Sequence, residues 1–323
     1  MKALFSRSSR PPIFLLAISL IVLTISGQCF SQTNLLNADA PISFPETFVV
    51  GPQGDVYVLD TNLSTLFALE SQSGKLKRLC GAEKLKAPTD VAVDRQGNLW
   101  VLSAVRSRIF RMNPSCDVQT EIVSKQLPLR IAANSFGEVV VLNANGNNLF
   151  EVFGADGKWL RGFGKRLDYK DEVTSSELSD GRIAPDRSGG FFFSFNYPPL
   201  IRHYGRQGNL ISEFKPASDV EIAPPNVSVS KRGRFTTVNS SYQILVLDMA
   251  VDTQNRLYLL MSGKSKVSAL SEGTRKLTVV AGSGRVLKTA QLEYNFHRLA
   301  SGNRRLYLLR NRKPLRLDAY PAL

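Results

Sequence analysis

Six segments of 14 residues in this chain align with one another without a gap, and this self-similarity constrains the fold more than any other feature. They are TFVVGPQGDVYVLD from Thr47, DVAVDRQGNLWVLS from Asp90, RIAANSFGEVVVLN from Arg130, RIAPDRSGGFFFSF from Arg182, DMAVDTQNRLYLLM from Asp248 and HRLASGNRRLYLLR from His297. Each reads as a short apolar strand, a turn built on Gly, Asn or Asp, and a second strand rich in β-branched and aromatic residues, which together make a hairpin. The segments start 43, 40, 52, 66 and 49 residues apart.

A further strand, turn and strand follow each hairpin, as in TLFALESQSGKLKRLC from Thr65 and NLFEVFGADGKWLRGFG from Asn148. One unit therefore holds four antiparallel strands at a period near that of propeller blades, and the expected fold is all-β, a six-bladed β-propeller. The sixth unit is short, because Asn311 to Leu323 suffice for a third strand only. An open edge there would invite aggregation, and the segment Thr33 to Ile42 is placed to supply the missing outer strand and close the ring. One domain from 32 to 323 follows. The column Tyr57, Trp100, Val140, Phe192, Tyr258 and Tyr307 lies mid-strand in every repeat and is expected to pack between neighbouring blades.

Residues 1–31 have the build of a secretory signal peptide, with Lys2, Arg7 and Arg10 before an apolar run from Ile13 to Ile25. That run is shorter than the roughly 20 residues that span a bilayer, so the mature chain is expected to be secreted or periplasmic, monomeric and without a transmembrane span. Cleavage lowers the net charge from +14 to +11, since those three basic residues are the only charged side chains removed. For an exported chain, such a balance favours an anionic ligand, a glycan or a protein partner over nucleic acid. Cleavage also leaves Cys80 and Cys116, an even pair that an oxidising compartment would join. The repeat alignment sets them at opposite ends of their blades, so a disulfide and two free thiols both stand.

The first and last positions of each segment fall at one mouth of the channel. The first gives Thr47, Asp90, Arg130, Arg182, Asp248 and His297, a polar set in every blade; the last gives Asp60, Ser103, Asn143, Phe195, Met261 and Arg310. Asp90, Arg130, Arg182, Asp248 and His297 are the candidate ligand-binding residues, because paired arginines offer forked donors to carboxylate or phosphate. Charges paired only among themselves are the alternative. Two insertions, Lys165 to Asp180 and Pro216 to Tyr242 with Lys231, Arg232 and Arg234, belong to the same mouth.

The repeated hairpins, clearest in Asp90 to Ser103 and Asp248 to Met261, resemble those of six-bladed NHL-type propellers and the related lactonase-like (gluconolactonase) superfamily. The resemblance implies the fold and a choice between two functions. One is an exported scaffold that binds a ligand or protein through the channel mouth and its inserted loops. The other is a metal-dependent, lactonase-like hydrolase or lyase. Those lactonases carry a glutamate within a Gly-Glu-Gly-Pro run in the first blade, where this chain reads Phe44-Pro45-Glu46-Thr47. Two histidines, His203 and His297, cannot build a multi-histidine zinc site, and no GxSxG, HExxH or CxxC occurs. The binding role is therefore the expected one, with no cofactor; a calcium site, were there one, would draw on Asp90, Asn143 and Asp248.

Overall fold

Apolar residues bounded by turn residues set the strands, and the turns set their register. In the second repeat Asp94 ends the innermost strand, and its carboxylate accepts hydrogen bonds from the amides of Gln96 (2.9 Å) and Asn98 (2.8 Å). Asn134 and Asp252 take the amides of their own turns in the same way, and Asp186 takes that of Gly190. The residue that completes such a turn has positive φ, which glycine adopts without strain: Gly97 stands at +84°.

These hairpins build a six-bladed β-propeller. The computed structural model describes residues 33–36, 40–169, 171–232, 235–263, 274–311 and 315–322. The expected signal peptide and Arg234 lie outside the described residues. Each blade is a four-stranded antiparallel sheet. The innermost strands are Pro45–Val50, Asp90–Val93, Pro128–Ala133, Gly181–Pro185, Val246–Val251 and Arg298–Gly302. Each adjoins its successor, and the sixth adjoins the first.

Closure follows the expected route. Thr33–Asn34 pairs with Arg316–Pro321 as the outer strand of the sixth blade. The ladder is only two residues long, and the segment is held more by side chains: Leu36 and Ile42, 3% and 5% exposed, pack with Phe48, Leu309 and Leu317. The aromatic column is core, as expected. Each of its six members sits in the apolar cluster between its own blade and the next, where a buried Phe such as Phe192 contributes roughly 1.5–3 kcal/mol.

Blade twist adds a contact that strand order alone does not reveal. In the second to fifth blades the outer turn is carried onto the outer strand of the blade before it. Gly208, at φ +88°, lies so close to Phe163 that a Cβ would collide with the ring; Gly157 meets Thr120 and Gly284 meets Phe214 in the same manner. In the second blade Cys116 holds the equivalent place, with φ +65°. It forms a disulfide with Cys80 of the first blade, with Cα atoms 5.9 Å apart. The strand-order reasoning that set the two cysteines at opposite ends is corrected by this twist.

The two insertions also take shape. Lys165 to Asp180 contains the helix Glu172–Leu178, started by Asp171, whose carboxylate accepts from the amide of Thr174. Pro216 to Tyr242 contains the hairpin Asn226–Arg232 and Phe235–Ser241, with Lys231 and Arg232 at the end of its first strand. Ser240 on the hairpin donates to Glu177 on the helix (2.6 Å), so the insertions meet above the mouth.

Candidate functional site

Six side chains ring the axis where the innermost strands begin: Thr47, Asp90, Arg130, Arg182, Asp248 and Arg298. They line an axial cavity of about 230 Å3. Five of the six are first positions of the repeat. In the sixth blade the structure puts Arg298 in the ring and His297 one place behind it, buried and outside the cavity lining. The cause is the turn. Where the second blade closes Asp94 to Asn98 over three residues, the sixth pairs Gly302 directly with Arg305 across Asn303 and Arg304, both at positive φ. One residue fewer shifts the register, so that Arg298 faces Leu309 as Asp90 faces Leu102.

Four of the six ring side chains bond to the next blade. Asp90 accepts from the amide of Val91 and from that of Ile131 in the third blade, both at 3.0 Å. Asp248, three blades away, does the same with Met249 (3.0 Å) and with Leu299 in the sixth blade (2.8 Å). The arginines seek carbonyls instead. Arg182 Nε donates to Leu247 O (3.1 Å), and Arg298 Nε donates to Glu46 O (2.7 Å). Both acceptors are made available by β-bulges, since the strands of the first, third and fifth blades each carry an extra residue just before the ring position.

Arg130 lacks this support. The fourth blade, which follows its own, pairs Gly181 to Pro185 in unbroken register. No bulge offers a carbonyl. Among the described residues Arg130 makes neither a hydrogen bond nor an ion pair, and its Nε is buried without a partner. An unpaired buried donor costs about 1–3 kcal/mol.

The charges around it are unequal. Arg298 is paired with Glu46 at 2.5 Å, and Asp180 is bonded to Gly181 N and Asn196 Nδ2. Arg182 has no ion pair among the described residues. Burial, followed by the charges of Arg298 and Arg130, pushes its pKa down to about 9. Burial works against the Arg130 charge as well, but Asp180, Asp90, Glu46 and Asp248 outweigh it and hold that pKa above the ordinary value. Burial also raises the Asp90 pKa, with Arg130 opposing. The site is thus a pocket in which two neighbouring guanidinium groups form no ion pair among the described residues, and in which the surrounding carboxylates offset burial for Arg130 but not for Arg182.

Beside it, burial and the carboxylates of Glu177 and Asp180 push the Tyr242 hydroxyl up to about 12, and the Tyr242 ring lies 6.1 Å from that of Tyr197. Tyr242 ends the second insertion and Tyr197 lies in the turn between Phe191–Phe195 and Ile201–Tyr204, and no repeat position marks either.

The other sequence candidates lie elsewhere. Asn143 is buried and donates to Glu151 (3.2 Å), away from the cavity lining. It is therefore not brought together with Asp90 and Asp248, and among the described residues no group of three or more His, Cys, Asp or Glu side chains is placed to hold a metal ion. Asp60 accepts three backbone amides, those of Ser43, Phe44 and Leu63. Ser103 donates to Lys86 O. His203 bonds Asp186 at 2.7 Å and stacks on Phe192.

Among solved structures, the chain is similar to virginiamycin B lyase from Staphylococcus aureus, with a TM-score of 0.54 at 14% identity over 90% of this chain and 88% of that one. It is similar also to a gluconolactonase from Xanthomonas campestris, with a TM-score of 0.58 at 13% identity over 90% and 89%. No family model matches the sequence, and no curated protein does. At such identities the likeness is one of fold, and the class it defines is the six-bladed β-propeller.

Proposed function

We propose that this protein is an exported binding propeller that takes a small anionic ligand into the axial cavity between Arg130 and Arg182. The observation that carries the reading is Arg130, whose buried Nε has no partner among the described residues, beside Arg182, whose one hydrogen bond among them is to the Leu247 carbonyl. An anion there would receive forked donors from both and relieve their mutual repulsion. The Cys80–Cys116 disulfide supports an oxidising compartment, secreted or periplasmic. Asp90 and Asp248, which a hydrolase would need for metal, are already bonded to backbone amides, and this favours binding over catalysis.

The test is calorimetric titration of the mature protein with phosphate, sulfate, citrate and glucuronate. Arg130→Ala and Arg182→Ala are each expected to weaken the bound anion by about 10-fold to 100-fold, at 1.5–3 kcal/mol per lost charged bond. Lysine at either place should restore only part, because it keeps the charge and loses the fork. Absence of binding by the whole panel, or binding unchanged in the double alanine variant, would overturn the reading.

A further inference from the structure

The opposite mouth of the channel carries a second concentration of positive charge, independent of the first. The inner hairpin turns surround a bowl of about 470 Å3. At the position that follows the turn-capping residue, Arg95 stands in the second blade and Arg187 in the fourth, while Arg304 stands in the turn of the sixth; the alternate blades carry Pro52, Ser135 and Thr253. The basic residues therefore recur on every second blade. Arg305 adds a fourth at the same rim.

All four arginines are exposed, and none forms an ion pair within 4.0 Å among the described residues. Carboxylates do line this bowl, but they are spent. Asp94, Asp186 and Asp252 are 2%, 4% and 4% exposed. Each is held by turn amides and by a basic side chain from its own blade: Arg111 for Asp94, His203 for Asp186 and Arg256 for Asp252. Among the described residues, the face toward solvent is left with arginine forks and the hydroxyls of Ser135 and Thr253.

We infer that this second mouth is a binding site for a phosphate-rich anion, either a free oligophosphate or a phosphorylated headgroup displayed on a membrane. Arginines on three alternate blades suit an anion with several equivalent oxygens, each guanidinium offering a planar pair of donors. The bowl's volume is that of a small-molecule site rather than a flat patch.

The test uses the full mature chain with Arg95→Ser, Arg187→Ser and Arg304→Asn combined. Serine already occupies this turn position in the third blade at Ser135, and asparagine tolerates the positive φ of Arg304 (+58°), so the fold should be kept; an unaltered melting curve checks that. Titration with tripolyphosphate should show binding to the wild type that falls by on the order of 100-fold in the triple variant and weakens with added salt. It should persist in Arg130→Ala/Arg182→Ala, which separates this mouth from the axial site. Co-sedimentation with phosphatidylcholine vesicles, with and without phosphatidic acid, distinguishes the source. Pelleting only with phosphatidic acid and without tripolyphosphate binding, lost in the triple variant, assigns a headgroup. Binding of neither probe, or binding unchanged in the triple variant, overturns the inference.

Discussion

Replacing Arg182 by methionine should stabilise the protein while weakening anion binding in the axial cavity. The folded-state pKa of about 9 against an ordinary 12.5 means that burying the charged form costs roughly 5 kcal/mol, at about 1.36 kcal/mol per pKa unit. Part of that is screened by water in the cavity that Arg182 lines. The hydrogen bond to Leu247 O, worth about 1.5–3 kcal/mol for a charged donor, is lost as well. A net gain of about 2 kcal/mol remains, or roughly 5 °C in melting temperature for a domain of this size. The sign with pH follows. Because the folded pKa is depressed, the unfolded chain holds more protons between pH 9 and 12.5, so the penalty is complete below pH 9 and fades above it. Denaturant unfolding of both proteins below and above that pH measures the difference directly. A methionine variant less stable than wild type at neutral pH would refute the claim that Arg182 is an uncompensated buried charge.

Three further outcomes are expected. Cys116→Ser should lose about 4 kcal/mol, the chain-entropy value for a sequence separation of 36, and a reductant should reproduce that loss in the wild type; an unchanged denaturation midpoint would contradict it. Leu36→Ala should cost about 3 kcal/mol in chemical unfolding, since Leu36 packs between the first and sixth blades; a neutral result would mean that the closing segment is dispensable. Glu138 is opposed by burial, but hydrogen bonds from Arg161, Arg206 and Asn134 lower its pKa to about 2. Its contribution is therefore present above pH 4.5 and lost as pH falls from 4.5 toward 2, and Glu138→Gln should flatten the wild type's acid-induced loss of stability over that window.

The blades were legible in the sequence because each turn repeats with fixed chemistry. The sites were legible to the extent that the turns keep one length. Asp90, Arg130, Arg182 and Asp248 follow from turns closed by Gly or Asn after three residues, and all four line the cavity. Arg298 was hidden because the sixth turn is one residue shorter, and Asn303-Arg304-Arg305 in place of an Asp-x-x-Gly pattern is the signal that could have exposed it. The disulfide was hidden for a different reason. Strand order fixes which end of a blade a residue occupies, but not how far twist swings the outer turn across the neighbouring blade. Setting Cys116 beside Gly157, Gly208 and Gly284 in an alignment of outer turns would have placed it on the preceding outer strand. The bulges before Thr47, Arg130 and Asp248 have no sequence mark at Glu46, Leu129 or Leu247, and they decide which arginine is left without a carbonyl.

The claim that Arg130 and Arg182 form an anion site is tested most directly by X-ray diffraction from crystals soaked in bromide. Anomalous scattering locates the halide without reference to any ligand identity. The expected result is a bromide peak in the axial cavity within contact of both guanidinium groups, and its loss in Arg130→Ala/Arg182→Ala. An empty cavity in which Arg130 has turned to pair with Asp180 or Glu46 would contradict it.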